Sequence, residues 1–178
     1  MISTENVILV DPEDHPMGEI EKITAHRYAM LHRAFSVFVF RRRNNKLELL
    51  LQQRNKTKYH SGGLWTNTCC SHPHPGEDLI QSAEKRLKNE MGIAVKLKAI
   101  GKFHYVAPFA NGLTENEIDH VLIGNYNAND ILINPDEVQT YRWISITALQ
   151  HDLATHPKKY TPWFKQALTL VLPSIEIF

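Results

Sequence analysis

The chain has 178 residues, 43% of them hydrophobic and 22% charged, and 20 Lys and Arg against 19 Asp and Glu leave a net charge of +1. That length suits one domain over 1–178 with a substantial core, and the balanced charge gives no case for nucleic acid or an acidic membrane surface as the main partner. No apolar run approaches the ~20 residues that cross a bilayer. The N-terminal stretch MISTENVILVDPEDHPMGE has neither a basic start nor a long apolar part, so no secretion signal is expected. The only two cysteines, Cys69 and Cys70, are adjacent. Neighbouring Cα atoms lie ~3.8 Å apart, too close for a relaxed bridge. The expectation is a cytoplasmic monomer.

In chain order, RAFSVFVF (33–40) and KLELLLQQR (46–54) read as a β-hairpin, with RRRNN (41–45) as its solvated tip. HSGGLWTNTCCSHPHPG (60–76) reads as a loop from its Gly, Pro, Ser and Asn. Over 77–93, Leu79, Ile80, Ala83 and Leu87 recur at helical spacing, with Glu77 and Asp78 at the start and Gly92 as the stop. Strands follow around 95–107, 117–126 and 138–146. The spans 145–157 and 161–172 read as helices, the second with Thr161 as N-cap and Pro162 in the first helical position. The order β-β-α-β-β-β-α-α predicts an α/β fold whose mixed sheet carries packed helices, not a doubly wound parallel sheet.

The chemistry concentrates in four places. TNTCCSHPHPGE (66–77) holds both cysteines and His72. TAHRYAMLHRAF (24–35) holds His26 and His32, six residues apart, which fits neither a helical pair nor a zinc finger. Glu115 and Glu117 share a face if their segment is a strand, and two such charges repel unless a cation or proton relieves them; a solvated strand face or loop is the plainer reading. Glu90 lies near the end of the central helix. Scattered His and Glu suit a first-row divalent ion, whereas adjacent cysteines lack the spacing of a Cys₂His₂ zinc site.

GLWTNTCCSHP, LHRAFSVFVF, LLLQQR and ENEID together resemble the type 1 isopentenyl-diphosphate isomerase family, over about residues 22–163. The resemblance implies a Nudix-type α/β/α sandwich around a mixed β-sheet. A Nudix hydrolase box ends R-E-U-x-E-E-x-G-U, with U aliphatic. Here Arg86 replaces the first glutamate, and Asn89-Glu90 replaces the pair. That helix has lost the carboxylates hydrolysis uses, so the diphosphate should stay intact.

The implied activity is double-bond migration between isopentenyl and dimethylallyl diphosphate through a tertiary carbocation, with a small prenyl diphosphate as the only expected partner. By this resemblance Glu117 with Tyr105 protonates the alkene and Cys70 takes the second proton, the roles swapping in reverse. Cys69 is then a packing thiol. Trp163 faces the cation; taken alone, a core Trp is the plainer reading. His26, His32, His72, Glu115 and Glu117 match the family's ligands for a divalent ion, Zn²⁺, Mn²⁺ or Mg²⁺. A second ion, Mg²⁺, bridges Glu90 and the diphosphate, which Lys22, Arg54, Lys58 and Arg86 surround. Gly62-Gly63 stands where the family often has Pro-Gly, implying a looser loop. His60, His74, His104, His120, His151 and His156 match no ligand position. Three rivals remain: a Nudix pyrophosphohydrolase, a non-catalytic diphosphate sensor and a structural zinc protein.

Overall fold

The computed structural model describes residues 5–177. In chain order they form strands β1 (Asn6–Val10) and β2 (Pro16–Glu21), helix α1 (Lys22–Arg27), and strands β3 (His32–Arg43), β4 (Lys46–Arg54), β5 (Trp65–Thr66) and β6 (Cys69–Ser71). Helix α2 (Leu79–Met91), strands β7 (Lys98–Pro108), β8 (Thr114–Asn125) and β9 (Val138–Ser145), and helices α3 (Ile146–Thr155) and α4 (Phe164–Val171) complete the chain, with 3₁₀ turns at Pro157–Lys159 and Leu172–Ile177.

All nine strands join one mixed sheet. β3 is its hub: it pairs in parallel with β8 and antiparallel with β4, β6 and β1. A strand covered on both faces needs no polar alternation, which explains the unbroken apolar run of β3. Phe35, Val37 and Val39 point to a core closed by Ala83, Leu87 and Met91 of α2. Phe38 and Phe40 point to the opposite core, closed by Leu149 of α3 and Phe164, Ala167, Leu168 and Val171 of α4. This is the predicted α/β/α sandwich.

The central helix forms as read. Asp78 caps it by accepting from the Ile80 and Gln81 amides, and Gly92 ends it with φ of 71°. Glycine is required there twice over, because a Cβ would meet the Leu132 carbonyl oxygen at 2.5 Å. The β3–β4 hairpin turns at Asn44 and Asn45, both with positive φ.

Five expectations are corrected. Arg41 is not part of a solvated tip: it is buried, its Nε donates to Glu48 at 2.6 Å, and its guanidinium lies 4.2 Å from the Trp143 ring centroid. Thr161 does not cap α4, which starts later; its hydroxyl bonds Thr66 at 2.9 Å instead. The span 60–76 is not all loop, since it contributes β5 and β6. The Gly62-Gly63 loop is tight, for a Cβ on Gly62 would meet the Lys56 carbonyl oxygen at 2.6 Å. Finally, β1, β2 and α1 precede the predicted first strand, so the element order begins two strands and a helix earlier. Among the described residues no helix is long and apolar enough to cross a membrane. Residues 1–4 of the N-terminal stretch read for a secretion signal lie outside the described residues.

Candidate active site

Sheet register assembles the acid end of the site. Glu115, Glu117 and Asp119 alternate along β8 and so share one face. β3 sets His32 opposite Glu117, and β7 sets Tyr105 opposite the same residue from the other side. On β6, Cys70 stands opposite Ser36 and Cys69 opposite Val37. Alternation therefore separates the adjacent cysteines. Cys69 is fully buried in the core beneath α2, whereas Cys70 lines a cavity with Tyr105, Glu115, Glu117, Asp119 and Trp163.

The predicted ligands fall into two groups that share His26. Ligand atoms of His26, His32, His72 and Glu117 lie within 4.8 Å of one another, as do those of His26, His60 and Glu115. Helix α1 delivers His26 because Glu21 caps it, accepting from the Ile23 and Thr24 amides, and the chain then turns back through Ala29 with φ of 50°. Nδ1 of His26 donates to the Lys22 carbonyl and Nδ1 of His32 to the Met30 carbonyl, each at 2.7 Å, since a carbonyl only accepts. Both Nε2 atoms are thereby aimed inward; that of His26 is free to present a lone pair, and that of His32 faces His72 and Glu117.

His26 Nε2 is buried with no hydrogen-bond partner. So is His60 Nε2, which sits 2.8 Å from Glu115 Oε1 but off the direction a hydrogen bond needs. His32 Nε2 lies 3.3 Å from His72 Nε2, and the two are 3.4 and 2.8 Å from Glu117 Oε1. Orphaned imidazole nitrogens facing two carboxylates are the donor set of a divalent ion. Burial lowers His26 and His72 to about 4, which leaves both neutral and able to ligate near pH 7. Burial also works on His32, but the Glu117 carboxylate overcomes it and raises that pKa.

The proton-handling groups have distinct environments. Burial would raise Glu117, yet hydrogen bonds from His32 and His72 outweigh it and hold the carboxyl well below the usual range. The Tyr105 hydroxyl donates between Glu115 Oε2, at 2.5 Å, and Glu117 Oε2. Burial, then the charges of Glu115 and Glu117, keep it protonated far above its ordinary pKa. Burial pushes the Cys70 thiol up to about 12 against the pull of Arg54, whose Nη1 donates to its Sγ at 3.5 Å. Near neutral pH, then, Cys70 holds its proton and Glu117 is ionised. Trp163 walls the same cavity, its indole N–H donating to Asn67 Oδ1 at 3.1 Å.

The four predicted phosphate-binding cations, Lys22, Arg54, Lys58 and Arg86, all line this cavity. Each has an internal partner. Lys22 pairs with Glu5, and Arg54 Nη2 donates to the His60 carbonyl at 3.3 Å. Lys58 pairs with Glu137. Arg86 donates to Glu90 Oε1 at 2.7 Å and to Glu137 Oε2 at 2.9 Å. Glu90 is not among the residues lining the cavity; it is buried behind them, its other oxygen accepting from Gln52 at 2.8 Å.

Four residues of this site escape the sequence reading. His60 reads as an ordinary histidine, yet it stands against Glu115 and stacks on Phe109 at 4.4 Å, and no local spacing announces it. Asp119 does carry a signal, since it continues the Glu115, Glu117 alternation. Burial and the Glu117 charge raise it well above an ordinary carboxyl, while Ser36 Oγ donates to it at 2.7 Å. Asn67 lies inside the quoted Trp-Thr-Asn motif; it accepts from Trp163 and Thr66 and donates to the Cys69 and Val37 carbonyls. Glu137 comes from a loop with no motif.

The chain is similar to known proteins over most of its length. Residues 30–164 match the NUDIX domain model. The chain is 48% identical, over 97% of both chains, to an isopentenyl-diphosphate Delta-isomerase of Photobacterium profundum. It is also 44% identical to isopentenyl-diphosphate Delta-isomerase 2 of Aromatoleum aromaticum, over 94% of this chain and 87% of that one. In fold it is similar to a solved structure from Deinococcus radiodurans, with a TM-score of 0.68 at 17% identity covering 85% of this chain and 90% of that one. A MutT protein from Methanosarcina mazei Go1 gives a TM-score of 0.61 at 19% identity, over 80% and 96% of the two chains.

Proposed function

We propose the following roles for the residues of this cavity, on the premise that the chain belongs to the isopentenyl-diphosphate Delta-isomerase family and carries a NUDIX domain. The protein is an isomerase that interconverts isopentenyl and dimethylallyl diphosphate. The observation that carries the reading is one cavity lined by a thiol, a carboxylate–tyrosine pair and an indole, with four cations at hand for the diphosphate.

The reaction adds a proton to the terminal alkene carbon and removes one from the methylene beside the resulting tertiary cation. Cys70 and Glu117 are the two proton-handling groups. Glu117 with Tyr105 protonates the alkene and Cys70 takes the second proton; in the reverse direction Cys70 gives and Glu117 takes. Arg54 stabilises the thiolate left behind. Tyr105 keeps Glu117 oriented between cycles. The Trp163 face offers cation–π attraction of about 2 kcal/mol in a site shielded from water, and Asn67 holds that ring.

The NUDIX domain and the His/Glu cluster make the protein one that depends on divalent metal. His26, His32, His72, Glu115 and Glu117 would hold one ion, with His60 beside them, and its charge would tune the acidity of Glu117. Zn²⁺, Mn²⁺ and Mg²⁺ all suit imidazole and carboxylate donors together. Glu90 would hold Mg²⁺ against the diphosphate, beside Arg86. Lys22, Arg54, Lys58 and Arg86 bind the diphosphate oxygens. We take the chain as a single monomeric domain working in the cytoplasm on this small substrate, without nucleic acid or membrane.

The test is incubation with isopentenyl diphosphate and Mg²⁺ in deuterated water. Dimethylallyl diphosphate carrying deuterium, with no free phosphate, is the expected result. Phosphate release without isomerisation would restore a hydrolase.

A further inference from the structure

Glu137 sits just before β9 and lacks a role in the chemistry above, yet two of the four cavity cations meet on it. One oxygen, Oε2, receives Arg86 Nη2 at 2.9 Å and also Lys58 Nζ. These cations come from different elements, α2 and the β4–β5 loop. The backbone around Glu137 is tied to the same loop: its carbonyl accepts from the Asn55 amide at 3.0 Å, and its neighbour Val138 pairs with Arg54. Asn134, three residues earlier, donates its amide to the Glu90 carbonyl at 2.8 Å. The segment is therefore fixed to both the helix and the β4–β5 loop that carry the cations.

Position decides between two roles for such a carboxylate. A group inside the cavity would occupy the cations and compete with a diphosphate. Lys58 and Arg86 line the cavity and Glu137 does not. It meets them from outside that lining, through Arg86 Nη2 and Lys58 Nζ.

We infer that Glu137 is a positioning residue for diphosphate recognition: it offsets the repulsion between Lys58 and Arg86 and fixes both side chains before the ligand arrives. This rests on the diphosphate-binding reading of the cavity. Without Glu137 both long side chains must be ordered during binding, which weakens affinity by about tenfold.

The experiment is titration calorimetry of inorganic diphosphate with Mg²⁺, alongside isomerase kinetics, on wild type, Glu137→Gln, Lys58→Met and the double variant. Glu137→Gln should weaken diphosphate binding and raise KM by about tenfold, with kcat within about twofold of wild type. Adding Glu137→Gln to Lys58→Met should cost less than Glu137→Gln alone, because half of what it holds is already gone. Binding as tight as wild type, or tighter, overturns the inference; so do effects that simply multiply. Should Glu137→Gln not fold, Glu137→Asp keeps the charge and shortens its reach, and unchanged affinity there overturns the inference equally. If wild type itself neither binds diphosphate nor isomerises, the reading of the whole cavity fails; if wild type binds and only the variants show no loss, this inference alone fails.

Discussion

Tyr105→Phe removes one oxygen and leaves the ring contacts with Phe103 and Trp163 in place, at centroid distances of 5.6 and 6.1 Å. The hydroxyl has two carboxylate acceptors but a single proton, so one charged hydrogen bond is lost, not two. Such a bond contributes about 1.5–3 kcal/mol, which corresponds to a rate loss of about 10- to 150-fold. The loss should fall on kcat, with KM unchanged, because the Tyr105 hydroxyl bonds Glu115 and Glu117 and none of the four cations. Removing a donor from a carboxylate raises its pKa, so any limb of the kcat–pH profile that reports Glu117 should move to higher pH. The assay is deuterium incorporation into dimethylallyl diphosphate across pH. A variant that keeps the wild-type rate, or loses substrate affinity instead of rate, refutes the coupling of Tyr105 to Glu117.

The adjacent cysteines should behave oppositely: Cys70→Ala abolishes isomerisation, while Cys69→Ala keeps it and loses about 1 kcal/mol of stability from its filled core site, readable by denaturant unfolding. Chelation should silence the enzyme yet leave a cooperatively folded protein by circular dichroism, since both large cores lie away from the His/Glu cluster; unfolding on chelation would favour a structural metal. Asp152 is depressed to about 2, first by the Tyr160 hydroxyl and then by Arg142. A depressed carboxyl stabilises the fold above its unfolded pKa near 3.8 and loses that contribution as pH falls toward 2. Asp152→Asn should therefore be less stable than wild type at pH 7, and thermal melts should converge as pH drops through that window.

What the sequence discloses follows from the kind of signal each element carries. α2 spans enough turns to show a repeating apolar face, and Asp78 and Gly92 mark its ends. β3 and β4 are long, and Asn44-Asn45 accepts the positive φ their turn demands. α1 has only six residues, too few for a period to emerge, and its cap is Glu21, an uncommon capping type. β5 and β6 are two and three residues long, and their pairing is supported by Asn67 and Thr68 side chains bonding backbone, a composition that reads as loop. At the site, most residues are legible through motif resemblance. His60 and Glu137 are not, because each reaches its partners through a loop path: His60 meets Glu115 and Glu137 meets Lys58 only after the chain has folded. Arg41 misleads for the same reason, its aromatic partner lying roughly a hundred positions away in sequence.

The row His32–Glu117–Tyr105, one residue from each of three neighbouring strands, makes the backbone ladder a ruler for the acid end of the reaction. Point substitutions can alter what stands on the ruler but not its graduations. Only a slip in pairing can do that, and a slip of one residue between β3 and β8 would bring Asn116 or Ile118 opposite His32 and turn the carboxylates to the other face. At the diphosphate end Lys22, Arg54 and Arg86 also stand on regular elements, α1, β4 and α2, but Lys58 and Glu137 stand on loops. The head group is thus gripped in part by loop residues, whose path can change while the span that governs proton transfer stays fixed by the sheet.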